Sequence, residues 1–293
     1  MSGGGGHTLL LTTDGNVYVC GWNNKGQLGI NSTTNETTFQ PIPKTAFSNK
    51  LIVSIATGWD VSAAICSDGS LYMWGSNLYH QLGYNKDTLL SAKTPIKLEL
   101  PNSEPCEQIY FGLHNTCVLT QSGSVYGFGK SSKLFKNFAH GMHMQHNTID
   151  YWKIDKNIEK LACGQKHIIY TIKNDSTNAI YSFGDNKFGQ STDVIKLDKK
   201  ISTIKSGWTH NATLTENGRV FLWGRNVYGQ LGINPSELNV TYSSEPLELK
   251  CNEPVRGLHL GAEHGLVRSE MGNIYTWGWN EHGNCGNDSV ENV

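Results

Sequence analysis

Histidine is the residue type in this sequence best suited to acid–base or metal chemistry, and four histidines share one spacing. His7, His167, His210 and His264 each stand three residues after a glycine: Gly4, Gly164, Gly207 and Gly261. A neutral imidazole can ligate zinc or move a proton near neutral pH. Two further copies of the frame, led by Gly58 and Gly112, carry Val61 and Asn115 at the histidine position. Equivalent positions in successive repeats are spread around an array and do not converge on one ion. Structural hydrogen bonding is therefore the expected role of these histidines. His140-x-x-His143-x-x-His146 is spaced so that it could hold a metal, but it sits in an irregular stretch where a solvated cluster is the simpler expectation. Cys163 and His167 lie four apart with no recognisable partners. No metal or cofactor is expected.

Catalytic signatures are missing as well. The sequence holds no Gly-x-x-x-x-Gly-Lys-Ser/Thr phosphate loop, no Gly-x-Ser-x-Gly elbow and no His-Glu-x-x-His, so no catalytic residue is assigned. What remains are aromatic and polar residues that differ from copy to copy. They are Trp59 and Asp60 after Gly58, Trp208 and Thr209 after Gly207, and Trp279, Asn280, Glu281 and His282 after Gly278. Tryptophan is enriched at binding hot spots, so these eight residues are the candidate contacts for a protein partner.

The elements that must position them follow a repeat, the first thing to look for in a chain rich in glycine. One copy runs Gly4, Gly15, Gly21, Gly26, Gly29, and another Gly207, Gly218, Gly224, Gly229, Gly232. The frame recurs from Gly58 and Gly261, and in part from Gly112 and Gly164. The copy led by Gly164 reaches its third glycine, Gly184, after 20 residues, where Gly207 reaches Gly224 after 17, so its turn holds three extra residues. Each copy reads as an antiparallel meander. A short apolar run ends at Asp14-Gly15, Asp68-Gly69, Ser122-Gly123 or Asn217-Gly218, where the positive φ of a tight hairpin is needed. The second strand carries an aromatic three residues before Gly21, Gly75, Gly129, Gly184, Gly224 or Gly278. In five copies another stands just before that glycine, as in Trp74, Trp223 and Trp277. Residues two apart share a strand face, which gives one aromatic pair per copy and makes these glycines and tryptophans the structural repeat. Proline-broken segments such as Thr38–Pro43 suit edge strands. Four short strands per copy, repeated six times, predict an all-β propeller.

The chain is 293 residues long with formal net charge −1. Near-neutral charge argues against sequence-independent nucleic-acid binding. Seven widely spaced cysteines without a Cys-x-x-Cys pair fit reduced thiols in the cytoplasm or nucleus. There is no apolar run long enough to span a membrane. One propeller domain is expected over 1–293. Its repeat units fall at about 16–69, 70–123, 124–178, 179–218 and 219–272, with partial units 1–15 and 273–293.

The patterns Gly-x-x-His, Asp14-Gly15-x-Val17-Tyr18 and Trp223-Gly224-x-Asn226-x-x-Gly229-Gln230-Leu231-Gly232 resemble the repeats of the regulator of chromosome condensation family. The resemblance covers essentially the whole chain. It implies a seven-bladed propeller, so six copies with partial units at both ends read as a shortened ring. The alternative is six sheets closed by pairing the first strands with the last. The resemblance also implies a regulator of a small GTPase acting as a guanine nucleotide exchange factor, with a role in secretion. The founding member uses an inserted β-wedge, for which the links between copies, at most 37 residues long, leave no room. The loop Trp277–Gly286 is similar to that of a fungal branch of the family. That branch implies a scaffold for a small zinc electron-transfer protein in diphthamide synthesis and wobble-uridine tRNA modification.

Overall fold

The computed structural model describes residues 1–130, 151–234 and 239–293. The cluster His140, His143, His146 lies outside the described residues. The chain divides into two compact units, Met1–Asn157 and Ile158–Val293. Both are all-β.

The first unit holds three meander sheets. One is β1 (Ser2–Gly3), β2 (His7–Leu11), β3 (Val17–Gly21) and β4 (Glu36–Ile42). The next is β5 (Ile52–Thr57), β6 (Val61–Cys66), β7 (Leu71–Ser76) and β8 (Ser91–Leu98). The third is β9 (Cys106–Phe111), β10 (Asn115–Thr120), β11 (Ser124–Gly129) and β12 (Trp152–Asp155). The second unit repeats the plan. Its sheets are β13 (Ile158–Cys163), β14 (His167–Ile172), β15 (Ala179–Gly184) and β16 (Val194–Lys196); then β17 (Ile201–Ser206), β18 (His210–Thr215), β19 (Val220–Arg225) and β20 (Tyr242–Glu248); and last β21 (Val255–Leu260), β22 (His264–Ser269) and β23 (Ile274–Gly278). Among the described residues every pairing is antiparallel and every sheet uses consecutive strands, so none of these sheets mixes strands from the two ends of the sequence. The sheets are out of phase with the sequence repeat. Residues 16–69 supply β3 and β4 to one sheet and β5 and β6 to the next.

Within a unit, first strands of neighbouring sheets lie against one another, as β5 does with β9 and β17 with β21. Fourth strands are sheet edges, and Pro41, Pro95 and Pro246 sit in them, where a missing N–H costs no ladder bond. The Asp-Gly, Ser-Gly and Asn-Gly hairpins between second and third strands take the positive φ expected of them. Only the glycine has positive φ, 78° at Gly15 and 83° at Gly218. Gly15 N–H bonds Thr12 O at 3.0 Å. This is a type I turn closed by a left-handed glycine, the three-residue hairpin pattern.

The aromatic pairs fill the sheets as their spacing requires. Tyr72 with Trp74, Tyr126 with Phe128, and Phe221 with Trp223 are all buried. In the three-stranded sheet Trp277 is buried, but Tyr275 is 38% exposed because no fourth strand among the described residues lies beside β23. The glycine after each pair is obligatory. Gly75 has φ of 101°, and a Cβ there would strike the Asp60 carbonyl oxygen. Gly21, Gly129, Gly184, Gly224 and Gly278 repeat this geometry.

Candidate partner-binding surface

Strands in a meander alternate direction, so two links leave each sheet at one end. These are the link between first and second strands and the link between third and fourth. All eight candidate contacts fall on them. The second link is shaped by an asparagine whose side chain acts as an internal template. Oδ1 of Asn23, Asn77, Asn186, Asn226 and Asn280 accepts the N–H five residues later, at 2.7–3.0 Å. Four residues beyond each of Asn23, Asn77, Asn186 and Asn226 stands a glutamine: Gln27, Gln81, Gln190 and Gln230. Its Oε1 accepts the N–H two residues earlier. Its backbone carbonyl joins the next sheet. Gln27 O accepts Ser62 Oγ at 2.8 Å and Trp74 Nε1 at 2.9 Å. Gln190 O accepts Asn211 Nδ2 at 2.8 Å, and Gln230 O accepts Trp277 Nε1 at 2.8 Å.

Asn280 therefore belongs to the framework. It is fully buried, and its Nδ2 donates to the carbonyls of Ser289 and Glu291 at 2.9 Å. Thr209 is also buried, and its carbonyl accepts Arg225 N–H at 2.9 Å. The other six candidates reach the surface to differing degrees.

In the first unit Trp59 is 44% exposed and Asp60 half-buried. Gly5 N–H bonds Trp59 O at 3.1 Å. The Trp59 ring packs where a Cβ of Gly5 would be, and the Trp22 ring does the same at Gly6. Trp22 is 57% exposed. At the same end of the first unit the Tyr79 and His114 rings lie 3.9 Å apart by centroid, and Lys130 Nζ stands 4.9 Å over Tyr79.

In the second unit the backbone of Trp208 joins three sheets, accepting from Gln165 N–H at 2.9 Å and donating to Ala262 O at 2.8 Å. At this end of the second unit stands Arg225. Its guanidinium lies 5.2 Å from the Phe188 ring and 4.9 Å from the Tyr228 ring. Its Nη1 meets Glu263 Oε1 at 3.4 Å. The other oxygen, Oε2, takes Gln230 Nε2 at 2.6 Å. Glu263 is buried, and burial raises its pKa above the ordinary carboxylate value against the pull of Gln230 and Arg225. Trp279 N–H bonds Glu263 O at 2.9 Å, which sets Trp279 next to this cluster. The Trp279 indole N–H reaches Glu281 at 3.2 Å, and its ring meets His282 edge-on at 5.1 Å. Glu281 and His282 are exposed.

Arg225, Phe188, Tyr228, Glu263, Tyr79 and Trp22 are absent from the sequence-derived set, yet the repeat contains a signal for most of them. Tyr79, Phe188 and Tyr228 all stand four residues after the positive-φ glycine at or next to the end of a third strand, Gly75, Gly184 and Gly224. Lys130 and Arg225 stand one residue after such a glycine. The aromatic of one sheet meets the cation of the next.

The repeated histidines are structural. His7 Nε2 bonds Ser62 Oγ at 2.8 Å, and His167 Nε2 bonds Asn211 Oδ1 at 2.7 Å. Each imidazole fills the space over the glycine three residues before it, where a Cβ at Gly4, Gly164, Gly207 or Gly261 would collide with the ring. Burial pushes His7 and His167 down to about 4 and His210 to about 3. Both ring nitrogens of His210 lack a partner among the described residues. The position matching Ser62 and Asn211 in the next sheet is Gly265, which offers no side-chain acceptor. Among the described residues no three His, Cys, Asp or Glu side chains stand together so as to hold a metal ion, and no helix is long and apolar enough to cross a membrane.

A family profile for the RCC1-like domain matches residues 1–293. The chain is 28% identical over 336 residues to the secretion-regulating guanine nucleotide exchange factor of Mus musculus, across 100% of this chain and 69% of that protein. In three dimensions it matches yeast RCC1 (Prp20), solved bound to Kap60, with TM-score 0.85 and 22% identity over 100% of this chain and 72% of that one. It also matches Prp20p of Saccharomyces cerevisiae, a structure reported with that protein's binding properties to Gsp1p and histones. The TM-score is 0.82 and identity 23%, over 99% of this chain and 74% of that one. The fold is thus the β-propeller that the glycine frame predicts, and the sheets are its blades.

Proposed function

The chain belongs to the RCC1-like domain family, and from that premise we propose that it engages a small GTPase through the loop end of its blades and promotes guanine nucleotide exchange. Exchange requires no nucleophile, acid or metal of its own. It requires a surface that binds the nucleotide-free state of the GTPase more tightly than the loaded state. The observation that carries the reading is Arg225, held between Phe188 and Tyr228 and fixed by Glu263, with Trp208 and Trp279 nearby. Arginine framed by aromatics is the composition of a binding hot spot. The kinship with a secretion-regulating exchange factor supports a role in secretion, and seven widely spaced cysteines without a Cys-x-x-Cys pair support a setting in the cytoplasm or nucleus.

The test is release of fluorescent GDP from a panel of small GTPases, including a Gsp1-type GTPase, at micromolar propeller. Acceleration of at least one member is expected. Arg225→Ala should weaken that interaction by about 2 kcal/mol, roughly thirtyfold, as for a hot-spot residue. Failure to accelerate any member removes the exchange reading. Affinity capture that returns a small zinc electron-transfer protein and no GTPase would replace it with the scaffold role.

A further inference from the structure

The sheet β13–β16 breaks the repeat at the end opposite the candidate surface, at the hairpin that carries the three extra residues. Elsewhere that hairpin closes onto the next sheet. Gly69 packs on Pro105 and Gly218 on Pro254, and Cys106 N–H bonds Gly69 O, as Val255 N–H bonds Gly218 O, each at 2.9 Å. Between β14 and β15 there is no such glycine. Asn174 and Asn178 take positive φ (60° and 50°) and widen the turn. The residue at the proline position is Lys200. The result is a cavity of about 550 Å³ within the second unit, inside the usual size range of ligand sites.

Its lining favours hydrogen-bond donation. Thr171 lies where Ile65, Leu119 and Leu214 stand in other sheets, and its buried hydroxyl has no partner among the described residues. Lys173 makes no ion pair among the described residues. Lys200 reaches out of the cavity to Glu216 at 2.7 Å with three-quarters of its side chain exposed. The two carboxylates of the lining are already engaged. Asp175 accepts from Thr177 and Tyr181, and Glu159 pairs with Lys160 at 2.6 Å. Among the described residues the uncommitted groups are therefore the Lys173 ammonium group, the Thr171 hydroxyl and the Asn174 and Asn178 amides, with Lys200 held at the rim by Glu216. A buried polar group without a partner is costly, and a carboxylate ligand would satisfy Thr171 and Lys173 together and draw the exposed Lys200 from Glu216.

We propose that this cavity is a docking site for an acidic peptide segment, whose carboxylate enters between Lys173 and Lys200 and accepts from Thr171. The site stands apart from the loop-end surface and does not depend on its role. The probe is fluorescein-labelled hexaglutamate, titrated into the full chain and read by anisotropy, with hexalysine and inorganic phosphate as further arms. Saturable binding that weakens with salt is expected. The double variant Lys173→Glu/Lys200→Glu should weaken it by about tenfold or more, as loss of charged hydrogen bonds requires. Thr171→Val should weaken it severalfold, and Arg225→Ala should leave it unchanged. Both lysines are solvent-reachable, so their variants should melt as wild type. No hexaglutamate binding, binding indifferent to the lysine pair, equal affinity for hexalysine, or binding of phosphate alone would each overturn the proposal.

Discussion

Three buried tryptophans at one repeat position offer a graded test of the joints between blades. Trp74, Trp223 and Trp277 share their packing but differ in what the indole N–H meets. Trp277 Nε1 is the side-chain donor to Gln230 O at 2.8 Å. Trp74 Nε1 shares Gln27 O with the Ser62 hydroxyl. Trp223 Nε1 is buried and has no partner among the described residues, while Asn211 Nδ2 bonds Gln190 O. Exchange to phenylalanine keeps most of the ring and removes the donor. Trp277→Phe leaves a buried carbonyl without its partner, a cost of about 1–3 kcal/mol beyond packing. Trp74→Phe leaves Gln27 O still bonded to Ser62, so the added cost falls to about 0.5–1.5 kcal/mol. Trp223→Phe deletes a donor that bonds nothing and carries no such cost. The order of destabilisation should be Trp277, then Trp74, then Trp223. Trp223 and Trp277 lie in one unit, and at about 2–4 °C per kcal/mol their melting midpoints should differ by roughly 2–12 °C. Differential scanning calorimetry of the full chain reads this directly. Equal midpoints for Trp223→Phe and Trp277→Phe, or the reverse order, would refute the assignment of the carbonyl as a joint. Alanine at either position should cost about 3–5 kcal/mol, and an unchanged midpoint would contradict the burial itself.

Other expectations follow from the same contacts. Gly75→Ala places a Cβ against the Asp60 carbonyl at φ of 101° and should cost more than the roughly 1 kcal/mol typical of glycine exchange, measured by urea midpoint. His167→Leu breaks the bond to Asn211 and should cost about 1–3 kcal/mol, whereas His210→Leu removes two orphan nitrogens and should be close to neutral; thermal melts compare them. Because burial holds His7 and His167 down near 4, the unfolded chain, with ordinary histidines near 6.5, binds protons first. Their contribution to stability is full above pH 6.5 and is lost as pH falls toward 4, up to about 3 kcal/mol each. Urea midpoints across pH 4–7 should fall on acidification, and His7→Gln should flatten that slope.

The glycine frame made the blades readable because each glycine does a job no other residue can do. Gly75 and its five counterparts take positive φ against a neighbouring carbonyl, and Gly4 or Gly207 yields its Cβ space to an imidazole three residues on. The aromatic pairs were readable because spacing by two puts Tyr72 and Trp74 on one face. The surface was harder to read. Asn280 looks like a variable loop residue in a single copy, but Asn23, Asn77, Asn186 and Asn226 at the same place show it to be a template. Arg225 escaped because its partners, Phe188 and Glu263, come from the sheets before and after it, and no local pattern pairs them. The phase of the sheets was hidden for a related reason. A periodic pattern gives the period, while only hydrogen bonding decides where one blade ends.

The joints at Gly5–Trp59 and Gln165–Trp208–Ala262 are made by peptide N–H and C=O groups. A coupling of that sort is indifferent to the side chains of Trp59, Gln165, Trp208 and Ala262, and only Gly5 is held to its type, by the ring packed on it. Assembly can persist while the outward side chains drift, so one propeller can be retargeted from one client to another by substitutions that leave its mechanical integrity untouched.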